Sequence, residues 1–458
     1  MASSSGLNQI VRTLGVVVNK KNMNSFAIVF LLISSVTLLF LPRQWAPLPL
    51  LVGTCYMTLG SGIEVGPFHF MFIRILVAVG IVRVIMRRER LAGEVNRLDW
   101  LMVVWAAWAA MSSVFHEDIS GILVNRLGLV YNACGIYFLL RVFCQSLDDM
   151  FTLCRSTAIL LVPLSIEMLS ETITAHNLFS ALGGVSEIPD IRDGRIRAQG
   201  PFAHSILAGT VGAVCLPLMI GIWQQHRKIA VAGILACFSI IFSSASSGPI
   251  MSAFWAIGAM CMWHWRHHLR LVRWLAVLGY FGLDLVMKAP AYYLIARIDL
   301  TGSSTSWHRA ALIEAAFAHL SEWWLGGTDV TRHWMPYSVI GNEKLADITN
   351  HYLRMGVDGG LPLMLLFIAI LATAFSFVGR MLQQMPELSP QSQFMIWALG
   401  ASLFAHSVTF ISVSYFDQSF VFIYLSLAVI GSIWSRTVLK SRGEVASGER
   451  VHGVILPT

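Results

Sequence analysis

The chain has 458 residues, of which 56% are hydrophobic and 12% are charged, and its formal net charge is +7. A mean hydropathy of +0.67 excludes ordinary soluble globular proteins and is typical of polytopic membrane proteins. The positive charge does not indicate nucleic-acid binding, because membrane proteins collect Lys and Arg in their cytoplasmic loops. The seven cysteines lack CxxC and CxxH spacing, which argues against a disulfide framework or a zinc site.

Apolar runs long enough to cross a bilayer, which takes roughly 20 residues, recur along the whole chain. The first two are separated by Pro42, Pro47 and Pro49, so they form either two crossings or one crossing and a re-entrant piece. The second interpretation is preferred and predicts about twelve transmembrane helices. The runs lie near 26–42, 46–61, 68–86, 98–115, 124–142, 152–168, 202–222, 229–243, 248–265, 271–287, 359–378, 394–413 and 419–435.

Every second connection between these runs is basic, as in the segment from Arg87 to Arg97 and in the segment after Arg436. The positive-inside rule places such connections in the cytoplasm and the alternate ones outside. The predicted fold is therefore an all-α polytopic membrane protein. Its parts are a cytoplasmic tail (1–25), transmembrane helices (26–287) with a short outer loop (169–201), a large outer loop (288–358), C-terminal transmembrane helices (359–435) and a cytoplasmic tail (436–458), disordered from residue 441.

The short outer loop ends with Arg195, Arg197 and His204, just where the next apolar run begins. Arginine on the outer side opposes the positive-inside bias, and a phosphate-bearing ligand would explain it because guanidinium groups match phosphate oxygens. Gly200 and Pro201 form a chain break that would turn backbone N–H groups towards an anion. The alternative is anchoring of the arginines to anionic lipid headgroups.

The large outer loop is the longest polar interval of the chain. Ser306 is a suitable cap for a helix that carries Arg309 in its first turn, where Arg309 could bind an anion or form a salt bridge with Glu314. His351 follows at the membrane lip. A single histidine is more often a structural residue than a base, but its ordinary pKa near 6.5 suits proton exchange with a sugar hydroxyl.

Four ionisable residues, Arg74, Arg126, Glu167 and Asp284, fall in or near the outward halves of predicted helices. Such residues indicate function by default, although each could also snorkel or pair with a neighbour. GxxxxGK[ST], HExxH and GxSxG motifs do not occur, which argues against an ATPase, a zincin protease and an α/β hydrolase. The outer loops contain no acidic pair of the DxD type, so no metal ion is expected.

Five segments together resemble the O-antigen ligase and Wzy-type polysaccharide polymerase superfamily. Their specificity comes from their order and predicted topology, because each motif alone is weak. The segments are Arg-Ala-Gln-Gly-Pro-Phe-Ala-His (197–204), Ser-Ser-Ala-Ser-Ser-Gly-Pro (243–249), Ser-Trp-His-Arg-Ala-Ala (306–311), Leu-Gly-Gly (325–327) and Asn-His-Tyr-Leu-Arg-Met-Gly-Val-Asp-Gly-Gly-Leu-Pro-Leu (350–363).

The resemblance implies a GT-C-like glycosyltransferase of the bacterial inner membrane that acts on the periplasmic side without metal or other cofactor. It would transfer a glycan from undecaprenyl diphosphate to an acceptor glycan. Arg197 and Arg309 would hold the diphosphate together with Arg195 and His204, and His351 would orient or deprotonate the acceptor hydroxyl. The order Asn-His-Tyr-Leu differs from the His-Asn-x-Tyr-Leu of many relatives. The role implied for His351 therefore depends on matching it to the histidine of that motif.

The acceptor distinguishes a polymerase, which uses a second lipid-linked repeat unit, from a ligase, which uses a lipid A core sugar. We prefer the polymerase because the Arg-x-x-Gly-Pro-Phe-x-His element and the long central loop resemble those of exopolysaccharide polymerases. A transporter or flippase of an anionic amphiphile is a further alternative. Transporters usually have two halves of matching hydropathy, whereas the large loop here is single and off-centre.

Overall fold

A computed structural model of the chain is almost entirely α-helical in the part that it describes, with two short β-hairpins. Five of the described helices are long and apolar enough to cross a membrane, at Arg97–Phe115, Ile119–Phe143, Leu147–Thr174, His351–Gln383 and Phe420–Thr437. The described residues are 24–60, 62–65, 68–287, 290, 293–294, 306–335, 346–384 and 388–452.

The secondary-structure elements follow one another in a largely up-and-down order. In chain order they are α1 (Ser25–Phe40), α2 (Pro47–Tyr56), β1 (Gly62–Val65), β2 (Phe68–Met71), α3 (Phe72–Arg87), α4 (Arg97–Met111), α5 (Ile119–Phe143), α6 (Leu147–Thr174), β3 (Asp190–Arg192), β4 (Arg195–Arg197), α7 (Ser205–Gly221), α8 (Arg227–Ser243), α9 (Ser247–Cys261), α10 (Leu269–Val286), α11 (Ser306–Ala318), α12 (Leu320–Trp323), α13 (His351–Gln384), α14 (Pro390–Thr409) and α15 (Phe420–His452).

Long-range contacts show which connections share an end of the helix bundle. At one end Gln145 donates to the carbonyl of Arg90 and accepts from Arg436. We call this the basic end, formed by residues 41–46, 87–97, 143–149 and 436–437.

At the opposite end the Gln418 amide donates to the carbonyls of Met57 and Pro201, and the backbone N–H of His351 donates to the carbonyl of Phe410. Connections that the charge pattern assigned to the outer face, such as 169–201 and 414–418, therefore meet at one end of the bundle, opposite the connections around Arg90 and Arg436. We call this second end the loop end, formed by residues 57–60, 112–118, 169–204, 243–249, 306–335, 346–350 and 410–419.

Two helices start at the basic end with capping boxes whose acids also hold arginines. Asn96 caps α4 in a reciprocal pair with Asp99, and Asp99 also forms a 2.9 Å ion pair with Arg141 of α5. Ser146 caps α6 in the same way with Asp149, which is 3.1 Å from Arg43. Each acid thus satisfies free N–H groups at a helix start and neutralises a cation of a neighbouring segment.

The core is formed by apolar residues of α1 to α9 and α13 to α15. Helices on the periphery expose large apolar side chains, such as Phe26, Ile33 and Phe40 of α1, which are 60%, 58% and 72% exposed. No residue of α10 is buried. An apolar surface of this kind suits a lipid environment and would be unfavourable in water.

Several boundaries differ from those predicted. The helix α2 has ten residues, about 15 Å of rise, which is too short to cross a bilayer core of about 30 Å by itself. Asn24, near the end of the predicted cytoplasmic tail, donates to the carbonyl of Ala181 at the loop end. Arg43 binds Asp149 at the basic end, and Met57 binds Gln418 at the loop end, so the first run and the second run with its non-helical end together reach the basic end and return. This favours the alternative in which both runs pass between the ends of the bundle. Residues 1–23 of that tail lie outside the described part of the chain.

The remaining differences concern turns and helix ends. The run predicted to start at residue 68 begins as strand β2, which pairs with β1 in a hairpin. The helix α13 begins at His351, eight residues before the predicted start of that run, and is kinked at Gly359 and Gly360. Residues 441–452 of the predicted disordered tail continue α15, whereas residues 453–458 lie outside the described part.

The described part of the large loop packs onto the first turns of α13. Its own apolar cluster joins Leu312, Trp323 and Trp334 to Leu353 and Val357 of α13. Trp323 is therefore a buried core residue, with its indole N–H bonded to the carbonyl of Ala316 at 2.8 Å. This packing gives the loop a defined position at the loop end.

A glycine turn joins the loop to the kink of α13. Gly327 has φ +88°, and a Cβ at this position would overlap the carbonyl oxygen of Val357. The Thr328 N–H donates to the same carbonyl, and the Leu361 N–H donates to the carbonyl of Trp324. Glycine is required here because it alone combines a left-handed backbone with such a close approach.

Candidate functional site

The short outer loop presents Arg197 from a β-hairpin. The strands β3 and β4 are joined by Asp193 and Gly194, which have φ +52° and +73°, as a two-residue hairpin turn of type I′ requires. Arg197 lies opposite Asp190 in this register and is buried, whereas Arg195 near the turn is exposed. Of the two predicted phosphate-binding arginines in this loop, only Arg197 is therefore enclosed by protein.

The Arg197 guanidinium is partly satisfied by the protein. One terminal nitrogen donates to Asp190 at 2.9 Å and the other donates to the Ser246 hydroxyl at 2.9 Å. Its buried Nε has no hydrogen-bond partner among the described residues. Burial lowers the pKa of Arg197 from its ordinary value, while Asp190 opposes this shift. A buried cation with one unused donor retains capacity for an anionic ligand.

His204 is the N-cap of α7. Its Nδ1 accepts from the backbone N–H of Ile206 at 3.1 Å. Burial, reinforced by the positive charge of Arg197, lowers the pKa of His204 to about 4. The imidazole is therefore neutral near pH 7, and its Nε2 carries the proton and is a hydrogen-bond donor.

The segment from Arg197 to His204 is fixed to the bundle by buried acids that the sequence analysis did not identify. The Glu171 carboxylate accepts from the backbone N–H groups of Gln199 and Gly200, the latter at 2.9 Å. We expected such N–H groups to face a bound anion. That expectation was wrong, because the protein's own carboxylate occupies this position. The only sequence signal was a carboxylate near the end of an apolar run.

Asp417 and Gln418 hold the same segment from the opposite side. Asp417 accepts from the N–H of Ala203 at 3.0 Å, and Gln418 donates to the carbonyl of Pro201 at 2.9 Å. Burial raises the pKa of Asp417, and hydrogen bonds from Ser419 and Ala203 counteract this. The loop after α14 is thus linked directly to the short outer loop.

His351, the first residue of α13, is enclosed by aromatic rings. It stacks on Phe410 with a centroid distance of 4.6 Å and lies 5.2 Å from Phe367. Its Nδ1 lies 3.2 Å from the Ser414 hydroxyl and accepts from the N–H of Tyr415 at 3.4 Å. A backbone N–H can only donate, so the proton of neutral His351 is on Nε2. In this tautomer Nε2 of His351 is a donor that can orient an acceptor hydroxyl.

The start of α9 connects the surroundings of Arg197 with those of His351. A Cβ placed on Gly248 would lie 3.7–3.9 Å from side-chain atoms of Val413, Ser412 and Ile206. Ser246, two residues before Gly248, binds Arg197, and Ser414, two residues after Ser412, binds His351. The segments that contact Arg197, follow His204 and contact His351 therefore meet around Gly248.

Arg309 lies in the first turn of α11 and is half-buried. The preceding His308 reaches the carbonyl of Asp347 at 3.4 Å, so this turn packs against the segment that leads into His351. Burial raises the pKa of Asp347 from its ordinary value, and His308 and Arg354 oppose the shift. Arg309 therefore lies on a helix turn that contacts residue 347, four residues before His351.

The four ionisable residues singled out in the helices have different environments. Arg126 forms a 2.9 Å ion pair with Asp358, the residue before the kink of α13, and Arg74 donates to Asn132 at 2.9 Å. Glu167 accepts from the N–H of Leu178. Asp284 lies on the exposed face of α10. Arg126 therefore has a structural role, since it joins α5 to the start of α13.

Buried polar atoms without a hydrogen-bond partner among the described residues concentrate at the loop end. Native proteins leave few such atoms, so a cluster of them indicates water or ligand binding. Apart from Trp105 Nε1 within α4, all of them lie at or next to the loop end: Ser113 Oγ, Arg126 Nε, Glu167 Oε2, Arg197 Nε, Ser205 Oγ, Ser243 Oγ, Arg332 Nη1, Thr349 Oγ1, His406 Nε2, Gln418 Oε1 and Ser419 Oγ.

Comparison with known proteins identifies no relative: no family model matches the chain, and no curated protein matches it significantly. The chemistry of the site must therefore be inferred from its own residues and from the motif resemblance. Those residues are a buried arginine with an unused donor, two histidines that can donate through Nε2, and an arginine on a neighbouring loop helix.

Proposed function

We propose that the protein transfers a glycan from undecaprenyl diphosphate to an acceptor sugar at the periplasmic face of a bacterial inner membrane, as a surface-polysaccharide polymerase. The proposal extends the helical architecture to about twelve transmembrane helices in a GT-C-like arrangement. Its main support is the concentration of partly paired cations and unpartnered polar atoms at the loop end.

Cleavage of the anomeric C–O bond leaves negative charge on the lipid diphosphate. Preorganised donors in a partly dehydrated site stabilise such charge as it develops. Arg197 fits this role because it is buried and oriented by Asp190 and Ser246, and its Nε is still unused. Arg309 and the exposed Arg195 would contact the diphosphate from the adjacent segments, and His204 would donate to it through Nε2.

The acceptor side would be organised by His351. Its aromatic surroundings fix the ring, and the N–H of Tyr415 fixes the tautomer, so Nε2 can hold a hydroxyl oxygen by donating to it. The proton of that hydroxyl would leave with the diphosphate or through water. His351 is thus proposed as an orienting donor, and general-base catalysis is not assigned to it.

The decisive experiment uses the purified full chain with an undecaprenyl-diphosphate oligosaccharide, with and without a lipid A core acceptor. We expect longer lipid-linked chains, which define a polymerase, and unchanged turnover in EDTA. Glycan attached to the core would instead identify a ligase. Movement of the intact donor across a vesicle membrane, without transfer, would identify a transporter.

Substitutions test the residues. Arg197→Lys retains the charge but loses the planar fork and Nε, and we expect transfer to fall about 10²–10³-fold, as when one such donor is lost. Arg309→Ala and His351→Ala should also abolish most transfer. The matched control is Arg227→Ala, because Arg227 lies at the start of α8 and stacks on Trp223 at 5.3 Å. Near wild-type transfer by the Arg197 and His351 variants would refute the assignment.

A further inference from the structure

A second cluster in the large loop shares no residue with the proposed transfer site. Nδ1 of His319 lies 2.8 Å from Oε1 of Glu322, and Nε2 of His333 lies 2.9 Å from Oε2 of the same carboxylate. One ligand atom from each of the three residues lies within 4.8 Å of the others. Two imidazole nitrogens and a carboxylate oxygen are ligands that Zn²⁺ favours.

The chain places these groups together in two ways. His319 and Glu322 are three residues apart across the start of α12, which brings them onto one side of a helical turn. His333 comes from the following segment, whose Trp334 is buried in the apolar cluster of the loop. The cluster therefore bridges two segments that are otherwise joined by apolar packing.

The surroundings of Glu322 provide an independent reason to expect a cation. The buried indole N–H of Trp334 donates to Oε2 of Glu322 at 3.0 Å, and the Trp334 ring stacks on His319 with an interplanar angle of 8°. Ligating carboxylates are commonly oriented by an outer hydrogen bond of this kind.

We propose that His319, Glu322 and His333 bind a divalent cation of the zinc class, which ties α12 to residues 331–335. Zinc bonds of about 2.0–2.1 Å in a tetrahedron separate ligand atoms by roughly 3.3–3.4 Å. Oε1 of Glu322 is 2.8 Å from His319 and 3.1 Å from His333, so each histidine needs to move away from the carboxylate by only a few tenths of an ångström. The two imidazole nitrogens lie within 4.8 Å of each other and would adopt the same spacing around the ion. The side chains are 34%, 36% and 46% exposed, which allows an ion to enter.

The test is titration of the EDTA-treated full chain in detergent with Zn²⁺, followed by calorimetry, and with Co²⁺, followed by its visible ligand-field bands. We expect one tight Zn²⁺ site and the spectrum of a tetrahedral nitrogen and oxygen site. Loss of a residue that hydrogen-bonds a metal ligand typically costs roughly 10–100-fold in metal affinity, and we expect a loss of this size for Trp334→Phe. His319→Ala and His333→Ala each remove a ligand, so each should weaken Zn²⁺ binding by more than this.

The control is His176→Ala, because His176 faces a single carboxylate, that of Glu187, at 3.2 Å, and no third ligand adjoins them among the described residues. This variant should bind Zn²⁺ like the wild type. Absence of the Co²⁺ bands in folded wild-type protein would overturn the proposal, as would equal Zn²⁺ affinity of the wild type and His319→Ala. The cluster would then be a carboxylate bridging two histidines by hydrogen bonds. Neither result depends on transfer activity.

Discussion

Buried charges are fully hydrogen-bonded at one end of the bundle and only partly hydrogen-bonded at the other. At the basic end the Arg141 guanidinium binds both oxygens of Asp99, and Tyr137 donates to the same carboxylate. At the loop end Arg197 leaves Nε unpaired, and its partner Asp190 is 58% exposed. Fully satisfied charges at a helix junction stabilise the structure, whereas partly satisfied charges retain the ability to bind a ligand.

The contrast extends to Arg83 of α3, four residues before the arginine cluster that led to the topology. Arg83 donates to Glu89 and to the carbonyls of Leu38 and Leu41, so it is also completely bonded within the protein. The basic end thus combines charge bias with structural ion pairs. Among the described residues, the buried guanidinium nitrogens without a hydrogen-bond partner, on Arg126, Arg197 and Arg332, all lie at or next to the loop end.

The largest effect that would test this contrast is on the free energy of unfolding. Arg141→Ala leaves Asp99, 2% exposed, as an uncompensated buried charge, and we expect a loss of about 3–5 kcal/mol. Arg197→Ala leaves an exposed partner that water can solvate, so its cost should be about 1 kcal/mol. Denaturant unfolding in mixed micelles measures both. Equal losses would show that the two ends do not differ.

The second effect concerns the glycine turn that positions the large loop. Gly327→Ala would introduce both a left-handed alanine and an overlap with the carbonyl of Val357. Gly183→Ala is the matched control, because Gly183 has φ +78° but no atom within 4 Å of the added Cβ. Both variants carry the strain of a left-handed alanine. We expect Gly327→Ala to lose a further ~1–3 kcal/mol in the free energy of unfolding, because its Cβ is overpacked. Identical melting temperatures for the two variants would contradict the close approach.

A third substitution tests whether the buried carboxylate of Glu171 anchors the loop end. Glu171→Gln replaces one accepting oxygen by an N–H₂ group that faces the N–H groups of Gln199 and Gly200. We expect a loss of about 1–3 kcal/mol in stability and reduced transfer, because the segment carrying Arg197 and His204 would shift. Hydrogen exchange of residues 197–204 should accelerate. Unchanged exchange there would remove Glu171 as the anchor.

The last effect is a pH dependence of stability. The pKa of His204 falls from 6.5 to about 4 on folding, mainly through burial, with Arg197 and Arg192 adding to the shift and Asp190 opposing it. Between pH 4 and 6.5, His204 therefore binds a proton in the unfolded chain but not in the folded chain. This contribution to the free energy of unfolding is fully present above pH 6.5 and is lost as the pH falls towards 4.

His204→Asn retains an N-cap acceptor but removes this titration, so its melting temperature should decline less on acidification than that of the wild type. His176→Ala, which changes a 48% exposed imidazole, should leave the wild-type slope unaltered. Parallel slopes for the wild type and His204→Asn would show that His204 is solvated in the folded state.

Local sequence patterns were sufficient for the helical architecture and for the sorting of connections between two ends. Hydropathy and charge are properties of short windows, and the positive-inside bias alternates with each crossing. The same patterns brought Arg197, His204 and His351 to one end. Their exact surroundings could not be predicted, because Ser246 binds Arg197, Asp417 binds the residue before His204, and Tyr415 binds His351, all from distant parts of the chain.

The sequence by itself determined an α-helical protein with an apolar periphery and two polar loops at the same end, since these follow from composition and periodicity. Only the tertiary structure decided which charges are satisfied. It paired Arg126 with Asp358, placed Glu171 beneath the Gln-Gly turn, set the tautomer of His351 and gathered His319, Glu322 and His333. The physical reason is that hydrogen bonds and ion pairs depend on distances of about 3 Å between residues far apart in sequence, which local patterns do not specify.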